Sequence, residues 1–169
     1  MRYLKLMAVI MVLLVATKLN AQKWFLLNSE TGKFSIEFPV EPRMMIEEPA
    51  EKNNNQKILI YNYEMKERKT SYYATVTYMN EEVKDKKAFL KEKATAMAEK
   101  WGGEQKDLLD LNIDGNFGYE IELVVFGESA MRIRIFYKEG RFYEILVATP
   151  KDRINTSDVN MFLNSFEMK

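Results

Sequence analysis

The chain has 169 residues and no formal net charge at pH 7, with 25 basic and 25 acidic side chains. It contains neither Cys nor His, which excludes thiol nucleophiles, Ser-His-Asp triads, His general bases, disulfides and metal sites built from His or Cys. Most of the chain is weakly acidic, because the first 21 positions hold basic residues and no acidic one. Nucleic acid is therefore not the expected main partner.

Residues 1–21 have the pattern of a secretory signal peptide. Two basic residues precede an apolar run, Leu6–Ala16, which is shorter than the roughly 20 residues that cross a bilayer. We expect cleavage after Ala21, which would leave residues 22–169 as one mature domain in the periplasm or outside the cell. An uncleaved N-terminal anchor is the alternative. A lipid anchor is not expected, because no Cys follows the apolar run.

Short strands are predicted between the signal peptide and the first helix, because apolar and polar residues alternate there between turn residues. Pro39 and Pro42 end the predicted strand Phe34–Phe38, since proline cannot donate a hydrogen bond to a sheet. Residues 44–48 are predicted to be extended, and residues 47–57 to lie in a polar surface loop. In chain order, the predicted strands with this alternation are Trp24–Leu27, Phe34–Phe38, Ile58–Met65 and Tyr72–Met79.

Aromatic residues are concentrated in the hairpin formed by the last two of these strands. Clustered tyrosines can stack on a flat ligand, but tyrosine is also a favoured strand residue with an apolar ring and a polar tip. We interpret the cluster as part of the sheet and keep ligand stacking as the alternative. Its members are Tyr61, Tyr63, Tyr72, Tyr73 and Tyr78.

The clearest helix runs from Asp85 to Trp101. Asp85 suits its N-cap and Gly102 suits its end. Lysines on its polar surface could contact an acidic partner, although a solvated helix face is the interpretation we favour. The apolar stripe expected to face the core consists of Leu90, Ala94, Met97 and Trp101, with Phe89 alongside.

A short segment after this helix has the spacing of half a calcium loop. Asp110, Asn112, Asp114 and Gly115 match the first positions of an EF-hand. The twelfth position is Ile121 instead of a bidentate Glu, and the apolar residues between the ligands alternate as in a strand. The segment is therefore predicted to be a strand and a turn, and no metal ligand, catalytic residue or cofactor-binding residue is assigned.

Residues 117–149 are predicted to form three antiparallel strands with one apolar face under a helix. A turn at 127–129 would pair Leu123 with Ile133, and a turn at 138–140 would pair Ile133 with Ile145. The side chains predicted to share the apolar face are Phe117, Tyr119, Ile121, Leu123, Val125, Met131, Ile133, Ile135, Tyr137, Tyr143, Ile145 and Val147.

The opposite face of this predicted meander would place Arg134 between Glu122 and Glu144. An anion-binding arginine is one interpretation. We favour a solvated charge ladder, since exposed ion pairs are common and weak, and it predicts a loss of less than about 1 kcal/mol for Arg134→Ala. The same pairing would place Phe136 opposite Phe142.

A closing helix is predicted from about Thr156 to Phe166, with good N-cap residues at its start. It is the expected cover for the second face of the sheet, which would carry Phe136, Phe142 and Leu146. Its apolar stripe is Val159, Phe162, Leu163 and Phe166.

Several phrases of the sequence, in this order, resemble the PsbP/Mog1-like family. They are Gly32-Lys-Phe-Ser-Ile-Glu-Phe-Pro39-Val-Glu-Pro42, Gly118-Tyr-Glu, Arg132-Ile-Arg134, Gly140-Arg-Phe-Tyr143 and Phe162-Leu-Asn-Ser-Phe166. The resemblance implies a single α+β domain, an antiparallel β-sheet sandwiched by helices. It carries over no catalytic residue. PsbP-like proteins assist photosystem assembly and Mog1 binds a small GTPase, so the shared fold does not decide function.

Three functions are compatible with these features. The leading hypothesis is an exported, non-enzymatic protein that binds an unknown protein partner or assists assembly in the cell envelope. The second is a carrier of a small apolar or aromatic ligand in a pocket between sheet and helix. The third is a carboxylate hydrolase using Glu120, Glu122 and Glu144 on one face, which is disfavoured because Arg134 would lower their pKa values.

Overall fold

The computed structural model describes residues 23–169, apart from the side chains of Asn53, Gln105, Lys106 and Asp107. The predicted signal peptide lies outside the described residues. In chain order the strands and α-helices are β1 Phe25–Ser29, β2 Phe34–Phe38, β3 Arg43–Glu47, β4 Ile58–Met65, β5 Thr70–Tyr78, α1 Lys86–Trp101, β6 Glu104–Ile113, β7 Asn116–Val125, β8 Ser129–Lys138, β9 Arg141–Pro150, α2 Ser157–Asn164 and β10 Glu167–Met168. Single 3₁₀ turns occupy Glu51–Asn53, Lys66–Arg68 and Lys151–Arg153.

The strands form two antiparallel sheets. Seven lie in the order β3-β4-β5-β9-β8-β7-β6, and β1, β2 and β10 form a separate small sheet. Helix α1 packs on one face of the large sheet against β7 and β8, while α2 and the small sheet lie over the other face. The predicted α+β fold with a sheet between helices is confirmed, although the separate small sheet was not predicted.

Each face of the large sheet has its own apolar core. Under α1, the core is mainly aliphatic and includes Leu90, Ile121 and Ile133. Under α2, it is richer in aromatic rings, among them Phe34 and Phe162. Ring pairs such as Phe38–Phe162, with centroids 5.0 Å apart and nearly perpendicular planes, add to the area that these side chains bury.

The β7–β8 hairpin has the predicted faces but not the predicted partners. Its loop is Phe126-Gly127-Glu128, so Leu123 lies opposite Met131 and not opposite Ile133. This shift of two residues keeps every side chain on its predicted face, because side chains alternate with a period of two.

The β8–β9 hairpin was predicted with the wrong turn. The loop has two residues, Glu139 and Gly140, both with positive φ (50° and 72°), as a tight hairpin turn of this kind requires. A change of one residue reverses the face of every side chain on the following strand. Tyr143, Ile145 and Val147 therefore face α2. Phe142 and Leu146 lie under α1, where they were not expected.

The same correction changes two cross-strand pairs. Phe136 lies opposite Tyr143, and Phe142 lies opposite Tyr137, so the predicted Phe136–Phe142 pair was wrong. Ile133 lies opposite Leu146.

Both helices form where they were predicted. The Asp85 side chain caps α1 by accepting a hydrogen bond from the Ala88 N–H (2.9 Å), and Gly102 ends it in the left-handed conformation. Trp101 was predicted to join the buried stripe but is 37% exposed. The second helix ends at Asn164, before the predicted end, and the chain continues into β10. Neither described helix is long and apolar enough to span a bilayer.

Candidate functional site

Glu120 on β7 holds two arginines of β8 beneath α2. Its Oε1 accepts from Nη2 of Arg132 (2.7 Å) and its Oε2 from Nε of Arg134 (2.6 Å). All three residues are at least nine-tenths buried. The prediction of a solvated charge ladder was therefore wrong, because α2 covers the face on which these charges lie.

The two arginines also attach α2 to the sheet. Arg132 donates to the Asn160 side chain (2.7 Å). Arg134 donates to the backbone carbonyl of Leu163 (2.7 Å) and to the side chain of Asn164 (2.9 Å). Each guanidinium nitrogen of Arg134 thus donates to a protein acceptor, so this geometry fits a structural role and not an anion site.

The carboxylates considered for catalysis lie on different faces of the sheet. Glu120 shares its face with Glu122, which lies opposite Arg132. Glu144 lies opposite Ile135 on the α1 face. The predicted group of three carboxylates was wrong because the shorter β8–β9 turn reverses the face of Glu144.

Glu120 and Glu144 have pKa shifts in opposite directions. Burial alone would raise the pKa of Glu120, but hydrogen bonds from Arg134 and Arg132 outweigh it and hold that pKa below its ordinary value. Burial raises the pKa of Glu144, opposed only in part by the nearby Lys100. A low pKa on Glu120 is the wrong direction for a general acid.

The tyrosines of the β4–β5 hairpin belong mainly to the sheet and its core. Tyr61 and Tyr72 are buried under α2, and the Tyr61 hydroxyl forms a 2.9 Å hydrogen bond with Oγ of Ser29. Tyr63 stacks on Tyr72 with ring centroids 6.3 Å apart. These contacts agree with the interpretation of the cluster as part of the fold.

The calcium-like segment forms the end of β6 and a hairpin turn. Asp114 and Gly115 both have positive φ, and Asn112 accepts a hydrogen bond from the Gly115 N–H (2.9 Å). This use of the Asn side chain is typical of a turn. Among the side chains that the structure describes, which do not include Asp107, no group of three or more Asp or Glu is placed to hold a metal ion.

An open cleft of about 700 Å³ lies between β1 and the start of α2. Trp24, Leu26, Met65 and Met161 supply its apolar surface. Leu26 is 55% exposed and Met161 is 41% exposed. We call this surface the β1–α2 cleft. Exposed apolar side chains that lie together, unlike scattered ones, often mark a binding surface.

An ion pair forms one side of the β1–α2 cleft. Asp158, in the first turn of α2, accepts from Arg68 (3.0 Å) and from Arg153 (3.2 Å). Burial by itself would raise the pKa of Asp158, but hydrogen bonds, including one from Thr156, and the two arginines hold it below its ordinary value. The cleft therefore presents a charged rim beside its apolar floor.

Sequence reasoning did not identify this cleft. It assigned Trp24 and Leu26 to a short strand and predicted no binding surface there, and it did not consider Met161. One signal was present, since Met161 is an apolar residue outside the buried stripe of its helix. Its proximity to β1, however, depends on contacts between distant parts of the chain.

No curated protein matches the chain. It is similar to the solution structure of cyanobacterial PsbP (CyanoP) from Synechocystis sp. PCC 6803, with a TM-score of 0.61 and 10% sequence identity, over 90% of this chain and 96% of that one. At this identity the likeness concerns the fold alone. The sequence model of a family described as "Putative lipoprotein YvcA" (YvcA/Mog1p) matches residues 13–113, more than half of the chain. The resemblance to PsbP/Mog1-like proteins is thereby confirmed, and the protein belongs to the YvcA/Mog1p family.

Proposed function

We propose that this protein is an exported, non-enzymatic accessory protein that binds another protein of the cell envelope through the β1–α2 cleft. The observation that carries the proposal is the exposure of Leu26 and Met161 beside the partly buried Trp24 in one surface cleft. The family description and the PsbP-like fold are compatible with an accessory role. The arginines of β8 do not offer a competing binding site, because their side chains are occupied in hydrogen bonds that hold α2.

The composition of the cleft suits a protein partner. Interface centres are enriched in aromatic residues, Met and Arg, and have polar rims. Trp24 and Met161 would serve as apolar anchors. Arg68, whose side chain is half exposed, would form part of the rim and select the orientation of the partner.

Site-specific photocrosslinking in the native host tests this proposal. A photoreactive residue at Leu26 or Met161 should link the protein to the same envelope protein. Leu109 is the matched control, since it is a comparably exposed apolar residue (51%) on the far edge strand β6. Equal labelling from position 109, or no product from either cleft position, would contradict the proposal.

Export and cleavage belong to the same proposal. We expect the protein in the envelope or the medium to begin at Gln22, after removal of residues 1–21. Intact-mass analysis of the protein from its host would show this. A mass that retains the first 21 residues would favour the anchored alternative. The family description includes the word lipoprotein, but the 169 residues contain no Cys to carry a lipid.

A carrier of a small apolar ligand is the second candidate. The volume of the cleft falls within the range of about 300–1,000 Å³ that is typical of ligand sites. The chain has two tryptophans, so Trp101→Phe would leave Trp24 as a single fluorescent reporter in the cleft. Saturable quenching by a hydrophobic ligand, abolished by Leu26→Asp, would favour the carrier over the protein-binding module.

A further inference from the structure

The edge strand β3 is apolar and exposed on both of its faces. Met44, Met45 and Ile46 are each about half exposed (50%, 48% and 49%). Among the described strands β3 pairs with β4 alone and lies at the end of the seven-stranded order. Such an edge leaves backbone donors and acceptors directed outward and is a template for another strand.

The sequence of β3 is complementary to itself when read in the antiparallel direction. Arg43 and Glu47 lie at equal distances on either side of Met45. If Met45 faces its own copy, each Arg43 lies opposite a Glu47 and each Met44 lies opposite an Ile46. We infer that β3 pairs antiparallel with β3 of a second copy about a two-fold axis at Met45, joining the two large sheets.

Symmetry restricts the possible registers. Opposite residues of an antiparallel pair lie on one face, and a two-fold axis perpendicular to the sheet keeps each side chain on its face. The axis must therefore pass midway between two copies of the same residue, which lie opposite each other. Centring on Met44 would place Glu47 opposite Glu41, and centring on Ile46 would place Arg43 opposite Pro49. The axis at Met45 alone pairs both charges with opposite charges.

The two faces of β3 would then be complementary separately. On the α1 face, where Met45 lies beside Ile60, a Met45–Met45 contact would lie between two Arg43–Glu47 ion pairs. On the α2 face, Met44 and Ile46 would form two apolar pairs. Glu47 is now 3.7 Å from the exposed Lys52, an ion pair of a weak class that the new contact could replace.

Strand β3 has five residues and is flanked by Pro42 on one side and, after Glu48, by Pro49 on the other. Proline has no backbone N–H, so the ladder cannot extend far in either direction. A pairing of this length buries less than a typical stable interface. We therefore expect a reversible dimer that forms where the protein is concentrated. This inference does not depend on the proposed β1–α2 cleft.

A single thiol tests the register directly, because the chain has no Cys. In the proposed pair the two Met45 Cα atoms would be about 4.5–5.5 Å apart, within the range that a disulfide bridges. Met45→Cys should give a covalent dimer under mild oxidation. Leu109→Cys, on the other edge strand, is the matched control and should remain monomeric. Equal dimer yields, or no dimer from folded Met45→Cys, would overturn the inference.

Charge reversal provides the second test, read by sedimentation equilibrium of the exported protein without an introduced thiol. Arg43→Glu or Glu47→Arg alone would place like charges opposite each other and should weaken dimerisation at least about tenfold. The double variant restores both opposite-charge pairs and should recover the wild-type affinity. A double variant as weak as the single ones would overturn the inference. So would a wild-type protein that remains monomeric, or a thiol at position 45 that links only to a different protein.

Discussion

The two faces of the large sheet are buried by different chemistry. The α1 face is closed mainly by aliphatic packing, in a cluster that includes Leu90 of the helix, Ile121 and Ile133. The α2 face combines packed aromatic rings with Arg132, Glu120 and Arg134, whose hydrogen bonds reach side chains and a carbonyl of α2. Apolar packing tolerates side chains of approximately the right size and shape, whereas a buried charge is stable only when all of its hydrogen-bond partners are in place. The α2 face is therefore the one that single substitutions should disturb most.

The largest expected effect is that of Arg134→Ala. It would leave the Leu163 carbonyl and Asn164 without their donor and would remove one of two cations from Glu120. Breaking a buried ion pair by removing one partner typically destabilises by about 3–5 kcal/mol. Urea unfolding would measure this loss.

Arg68→Ala is the matched control for that substitution. It breaks an ion pair with Asp158 in which the Arg68 side chain is half exposed, and it should cost less than about 1 kcal/mol. If both variants lost the same small amount, the buried network would contribute no more than an exposed pair.

Gly118→Ala tests how closely the aromatic side of the α2 face is packed. A Cβ at Gly118 would collide with the ring of Phe136 and with the Ile135 carbonyl. Phe136 stacks on Phe166 with centroids 5.6 Å apart, so the ring cannot move freely. We expect a loss of about 1–3 kcal/mol, read as a lower urea midpoint. An unchanged midpoint would show that this core can rearrange.

The pH dependence of stability should separate Glu120 from Glu144. The lowered pKa of Glu120 contributes stability that is present above its unfolded pKa and is lost as the pH falls through its folded pKa. For Glu144, whose pKa is raised, the contribution is present below its unfolded pKa and is lost as the pH rises through its folded pKa.

Glu144→Gln should therefore stabilise the protein at pH 7 relative to wild type, and the gain should disappear in acid. Glu120→Gln should destabilise it at pH 7, and that loss should shrink in acid. Thermal unfolding followed across pH would compare the two variants. The same sign of pH dependence for both would contradict the assigned environments.

The smallest expected effect concerns Phe126 in the β7–β8 loop. It is 92% exposed and has a φ of +52°, a conformation that is strained for a bulky residue. Phe126→Gly should relieve this strain and raise stability by up to about 1 kcal/mol, partly offset by the greater freedom of glycine in the unfolded chain. Thermal unfolding would measure it, with Leu109→Gly as a destabilising strand control. A loss for Phe126→Gly would indicate that its ring makes a stabilising contact.

Part of the candidate site could be predicted and part could not. The role of Asp85 as a cap and the turn at Asp114 and Gly115 follow from local rules, and both are confirmed. The β1–α2 cleft combines Trp24 with Met161, which lie far apart in sequence. No local pattern predicts that proximity. The exposure of β3 could not be predicted either, because the apolar run Met44–Ile46 would equally suit a buried strand.

The sequence by itself determined the approximate positions of both helices and of every strand except β10, because periods of 2.0 and 3.6 residues and the residues that end them are local properties. The tertiary structure alone decided which face each side chain of β9 occupies. Both faces of this sheet are apolar, so alternation could not distinguish a two-residue turn from a three-residue turn. The difference of one residue in the length of this turn places Glu144 on the face under α1. The docking of α2 over the other face buries Arg134, which was predicted to be a solvated charge, together with Arg132, and both arginines donate hydrogen bonds to that helix.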